Sequence, residues 1–140
     1  MKIAIGCDHG GIDLKETMCK VIEELGHQVD DQGCYSSESV DYPDFAKSVC
    51  AKVQAGQCER GILLCGTGIG MSMAANKFTG IRAALCQEIF SARMSREHND
   101  ANVLCMGARI VGTGLAEEVV RVWLTTDFAG GRHQRRIDMF

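Results

Sequence analysis

The chain has 140 residues, 46% of them hydrophobic and 24% charged, with one proline, eight cysteines and a formal net charge of -3. That is the composition of a globular chain long enough to bury a core without metal or disulfide staples, and it predicts one domain over residues 1–140. The mildly acidic balance argues against broad binding to nucleic acid or to a membrane surface, and no apolar run is long enough to span a bilayer.

In chain order, "KIAIGC" at 2–7 reads as a strand and "LKETMCKVIEELG" at 14–26 as a helix. Leu14, Met18, Val21, Ile22 and Leu25 fall on one face of that helix, and Gly26 stands at C′ to end it. A short strand in "HQVDDQG" leads to a helix in "PDFAKSVCAKVQAG", where Phe45, Val49 and Val53 recur every fourth residue between Pro43 and the stop at Gly56. "RGILLC" at 60–65 is the third strand, and a helix follows near 70–78. Then come a strand "IRAALC", a helix "EIFSARMSREH", a strand "NVLCMGA", a helix "LAEEVVRVWLTT" with Trp123 as core, and a basic helical tail.

This alternation predicts an α/β fold with a parallel sheet of about five strands and helices on both faces. The continuous apolar runs "GILLC" and "NVLCMG" suit parallel strands buried on both sides. In such sheets ligands gather beyond the carboxyl ends of the strands. Three polar clusters fall there: Asp8 and His9 after the first strand, Cys65 to Gly70 after the third, and Gly107 to Arg109 after the fifth.

The cysteines form no C-x-x-C pair and no zinc spacing with the histidines, and the N-terminus has no signal-peptide layout. Reduced thiols in a cytoplasmic chain, without a metal, are therefore expected, most of them serving as small core hydrophobes. Cys65 is the exception, because it stands where a strand breaks into "CGTGIG". The spacing of Gly66, Gly68 and Gly70 is neither a dinucleotide fingerprint nor a Walker loop. It reads either as a tight turn for helix packing or as a nest of backbone N–H groups leading into a helix, suited to a phosphate or a developing enolate. A thiol in that setting is competent as nucleophile or base. From Gly61 to Lys77 there is no Asp, Glu or His, so a base supplied by this loop has to be the cysteine.

His98 and Asn99 in "REHND" follow a helix, where the imidazole either caps the C-terminus or passes protons; His9 suits binding better than proton transfer. Arg132 and Arg136, spaced i, i+4, could grip one phosphate from a shared helix face, with Arg109 as a third clamp. The alternative is a solvated basic tail that also takes in His133 and Arg135.

The chain closely resembles the type B ribose-5-phosphate isomerases, of the family that also holds the galactose-6-phosphate isomerase subunits. The residues that carry the resemblance are "GCDHGG" at 6–11, "DYPDFA" at 41–46, "CGTGIGMSMAANK" at 65–77, "IRAA" at 81–84, "SREHNDANVLCMGAR" at 95–109 and "GGRHQRR" at 130–136. It implies a Rossmann-like three-layer αβα sandwich, assembled as a homodimer or a dimer of dimers with shared active sites. It also implies interconversion of D-ribose 5-phosphate and D-ribulose 5-phosphate in the pentose phosphate pathway, with neither metal nor organic cofactor. By the resemblance Cys65 is the enediol base, and Thr67 and His98 open the furanose ring. Asp8 and Asn99 contact the sugar, His9, Arg109, Arg132 and Arg136 hold the phosphate, and Gly66 to Gly70 form the anion hole. A branch of the family draws an acidic base from the same loop; Ile69 stands at that position, which groups this chain with the cysteine users. Two other readings stay open at this point, an isomerase of a six-carbon aldose 6-phosphate such as allose or galactose 6-phosphate, and a non-catalytic phosphosugar-binding protein.

Overall fold

The computed structural model describes residues 1–140. Its elements are β1 (Lys2–Cys7), α1 (Ile12–Glu24), β2 (Gln28–Asp31), α2 (Tyr42–Gln54), β3 (Arg60–Cys65), α3 (Ile69–Ala75), β4 (Ala83–Leu85), α4 (Ile89–Glu97), β5 (Val103–Gly107), α5 (Thr113–Thr125) and α6 (Arg132–Ile137). The five strands form one parallel sheet in the order β2-β1-β3-β5-β4. The expected α/β sandwich is present, with α1, α4 and α5 packed together on one face and α2 with α3 on the other.

Period-2 alternation along the strands sorts the core into two layers. Ile3, Ile5, Ile62, Leu64, Leu104 and Met106 meet Met18, Val120 and Trp123 on the first face. Ala4, Leu63, Cys65, Val103 and Cys105 meet Val49, Met71 and Ala75 on the second. The second face is lined by smaller residues, so α2 comes close to the sheet. A Cβ on Gly61 would lie 2.7 Å from Val49 Cγ1 and 3.3 Å from Val103 Cγ2. Gly61→Ala should therefore lower stability by about 1–3 kcal/mol, read as a lower denaturant midpoint at unchanged slope. An unchanged midpoint would mean that α2 yields without cost.

The helix ends fall where the glycines place them: Gly26 and Gly56 follow α1 and α2 with φ of +79° and +66°. Two boundaries differ from expectation. The helix expected to reach 78 ends at Ala75, because the next amides, Lys77 and Phe78, bond three residues back to Ala74 and Ala75 in a tightening turn. β4 keeps only Ala83–Leu85 of "IRAALC", since Ile81 N–H is taken by Phe78 O and Arg82 N–H by the Asn102 side chain.

Under the start of α1, Lys15 is 2% exposed and its Nζ donates to both Asp31 carboxylate oxygens at 2.7 and 2.8 Å. Burial works against its ammonium, but the Asp31 hydrogen bonds and charge prevail and hold its pKa above the ordinary value.

Candidate active site

The register that pairs Cys7 with Leu64 and Cys65 with Gly107 brings the carboxyl ends of β1, β3 and β5 side by side. β1 and β3 are neighbours because the chain first builds outward to β2 and then crosses back, which makes their junction the switch point where a crevice opens. All three polar clusters expected beyond the strand ends are brought together here.

The loops are tied to one another through the backbone. Asp8 N–H donates to Leu64 O at 3.1 Å, Ala108 N–H to Cys65 O at 2.8 Å, and Arg109 N–H to Gly66 O at 3.0 Å. Asp8 is 9% exposed, and its carboxylate accepts the Gly10 N–H at 2.9 Å, which fixes the turn that carries His9. His9 Nδ1 accepts the Val40 N–H at 3.2 Å, so the ring is oriented with Nε2 left to meet a ligand. The exposed Arg109 side chain lies across Gly66, where a Cβ would sit 3.5 Å from its Cδ. A cleft of about 390 Å³ opens beside His9, Gly10 and Ala108, between the first turns of α1 and α5; Cys65 does not line it.

Cys65 is 5% exposed, and its Sγ accepts the Gly68 N–H at 3.0 Å. Gly68 has φ of +78°, and a Cβ there would lie 2.8 Å from the Met106 carbonyl carbon, so only glycine brings this amide onto the sulfur. Thr67 is exposed, its Oγ1 accepting the Ile69 N–H at 3.3 Å; Ile69 itself, at the start of α3, is also exposed. Two residues without an expected role support this loop. Gln87 donates to Thr67 O at 2.8 Å and accepts the Gly107 N–H at 3.1 Å, bracing the loop against β5. The Tyr42 ring closes over Gly70, where a Cβ would come within 2.9 Å of its hydroxyl. "DYPDFA" displayed Tyr42 in the sequence, but its contact depends on tertiary packing.

All eight thiols are free. Burial pushes Cys7 up to about 12 and Cys19, Cys50 and Cys58 up to about 11, which fits their expected use as packing groups.

His98, Asn99, Arg132 and Arg136 are elsewhere. A helix that follows a parallel strand runs back along the sheet, so the C-terminus of α4 lies at the amino end of the strands. There Arg82 donates to the carbonyls of Asn99 and Asp100 at 3.1 and 3.0 Å, and both Arg82 and Arg96 bind the Asp100 carboxylate, at 3.0 and 2.9 Å. This clamp holds Asp100 at φ of +45° and presents the exposed Asn99. Arg132 and Arg136 share the exposed face of α6, and neither is salt-bridged. His133 does not belong to a solvated tail. It is 9% exposed, and its ring stacks on His98 with centroids 4.1 Å apart and planes 11° apart. Burial, followed by His98, Arg132 and Arg136, holds its pKa below the ordinary histidine value.

The five residues of β5 separate the two groups by roughly 15 Å along the sheet. One chain thus carries two separate groups, a thiol with its amide loop at one end of the sheet and an imidazole with two arginines at the other.

Comparison with known proteins bears on the fold and the family. The ribose-5-phosphate isomerase B of Escherichia coli (strain K12) is 51% identical over 137 residues, covering 98% of this chain and 92% of the relative. The solved ribose-5-phosphate isomerase B of Clostridium thermocellum matches with a TM-score of 0.97 at 52% identity, over 99% of this chain and 94% of that one. A ribose 5-phosphate isomerase structure from Thermotoga maritima gives 0.95 at 50% identity, over 99% and 95%. The profile of the ribose/galactose isomerases spans residues 3–140, and with both fold and sequence in agreement over nearly its whole length, the chain belongs to that family.

Proposed function

We propose that this protein is an aldose–ketose isomerase that interconverts D-ribose 5-phosphate and D-ribulose 5-phosphate, with Cys65 as the base. The observation that carries this reading is the buried sulfur at the switch point, held against the Gly68 amide in a loop without any carboxylate or imidazole. Removing the C2 proton and returning it to C1 requires one base that reaches both carbons. Backbone N–H groups of the Gly66–Gly70 turn then meet the enediolate oxygen, and loss of one such donor typically costs about 3 kcal/mol of barrier.

The furanose must open first. A base takes the proton of the anomeric hydroxyl while an acid protonates the ring oxygen, and we assign these proton transfers to His98 and Thr67. Because His98 lies at the far end of the sheet from Cys65, we infer that a second copy of the chain supplies His98, Asn99, Arg132 and Arg136, in a homodimer or a pair of dimers. The phosphate is then held by His9 and Arg109 of one chain and the two arginines of the other, while Asp8 and Asn99 meet sugar hydroxyls. Holding the phosphate orients carbons to which it is not directly attached. The proton lost from the C2 hydroxyl is matched by one gained at O1 of the enediolate, so every step is a proton transfer and none calls for a metal or organic cofactor.

The test is isomerisation of ribose 5-phosphate by the purified protein in EDTA, with kcat/KM compared for allose 6-phosphate and galactose 6-phosphate. Turnover that persists in chelator and favours the pentose is expected. Preference for a hexose would change the substrate, and binding with no turnover on any of the three would overturn the isomerase reading.

A further inference from the structure

Histidines that move protons are commonly oriented by a hydrogen bond to the ring nitrogen that faces away from the reaction. No group of this chain hydrogen-bonds to either ring nitrogen of His98; its backbone N–H donates to Met94 O, and its ring lies flat on His133. His133 is itself anchored. It shares the inner face of α6 with the buried Ile137, four residues on, and its N–H donates to Gly130 O at 3.1 Å. The loop leading to α6 is fastened to α4 by the Ala129 N–H on Glu97 O at 3.0 Å.

We propose that His133 is a positioning residue for His98, a buried plate whose stacked ring sets the plane in which His98 presents its nitrogens to the sugar. This rests on the assignment of His98 to ring opening. A charge on His133 would face the His98 ring at 4.1 Å, which works against an imidazolium at His133. The charged and titratable groups around His133 are Arg132 and Arg136 on its own helix and His98 and Glu97 on α4; burial, then His98 and the two arginines, hold its pKa below the ordinary histidine value against Glu97. His133 therefore lies as an uncharged face against the ring assigned to the substrate.

Ribulose 5-phosphate separates ring chemistry from enediol chemistry. Its carbonyl is at C2 and its C5 hydroxyl is esterified, so it cannot close a furanose and enters the site open-chain. Exchange of its C1 proton into deuterated water, followed by NMR, needs Cys65 but no ring opener.

Four full-length proteins decide the matter: wild type, His98→Asn, His133→Ala and His133→Phe. His133→Ala should lose roughly ten- to a hundredfold in kcat/KM on ribose 5-phosphate, the scale of a misplaced catalytic group, while its C1 exchange stays near wild type. His133→Phe, which keeps an aromatic plate, should recover most of the loss with the acid limb of its pH profile unmoved. Full forward activity in His133→Ala, or equal loss of both reactions, would overturn the proposal. So would a Phe variant that fails to recover or whose acid limb moves, since the ring would then act through its own nitrogens. If His98→Asn retains forward turnover, the assignment of ring opening falls and takes the proposal with it. If His98→Asn is dead and His133→Ala is not, only the proposal falls.

Discussion

Cys65→Ala should lower kcat on ribose 5-phosphate by about three orders of magnitude, within the range expected for loss of a positioned base. Binding of the sugar phosphate should change by no more than about threefold, since the phosphate contacts proposed for His9 and the arginines would be shared by ground state and transition state. The two halves are measured separately, turnover by a coupled assay and binding by calorimetry. Serine should not rescue, because a hydroxyl is a far weaker base than a thiolate at neutral pH. The fold should tolerate the change at a cost of about 1 kcal/mol, as only one small buried atom group is removed. The sulfur is also the acceptor for Gly68 N–H, so a shifted loop would show as weakened binding. Retention of turnover in a folded Cys65→Ala protein would remove the thiol from the chemistry altogether.

Mixing two dead variants should restore activity. Cys65→Ala keeps an intact His98, and His98→Asn keeps an intact Cys65. In a hybrid dimer one site receives both damaged halves and the other receives both intact ones. Random reassortment then gives about a quarter of wild-type activity, because half of the dimers are hybrids and each has one working site of two. The experiment is to unfold or dissociate the two variants together, reassemble them and compare with each treated alone. No recovery would mean that base and ring opener act within a single chain, against the roughly 15 Å that β5 places between them.

The strands, helices and strand-end clusters were legible because the signals are local. Ile3, Ile5 and Cys7 alternate with Ala4, and Leu14, Met18 and Val21 repeat with helical period, as the two core layers require. The separation of His98 from Cys65 was also implicit, since in a parallel sheet the end of each crossover helix lies opposite the end of each strand. His133 was harder to see, with arginines at 132, 135 and 136 making its segment look solvated. Its spacing of four from Ile137 was the available sign that α6 has an inner face. Gln87 and Tyr42 carried no such sign. What makes them supports of the glycine loop is a contact between segments 20 or more residues apart, through Gln87 to Thr67 and through Tyr42 to Gly70.

The placement of Cys65 and His98 at opposite ends of one sheet also bears on the rate law. If a working centre takes one end from each of two chains, velocity is second order in protein below the dissociation constant of the pair and first order above it. A logarithmic plot of velocity against protein should bend from a slope of about two to about one, and the bend reports the strength of association without any sizing measurement. A slope of one down to the greatest dilution would mean that the pair never separates in that range. Where the slope is two, specific activity depends on how much chain is present, and a dilute assay understates what a concentrated solution achieves.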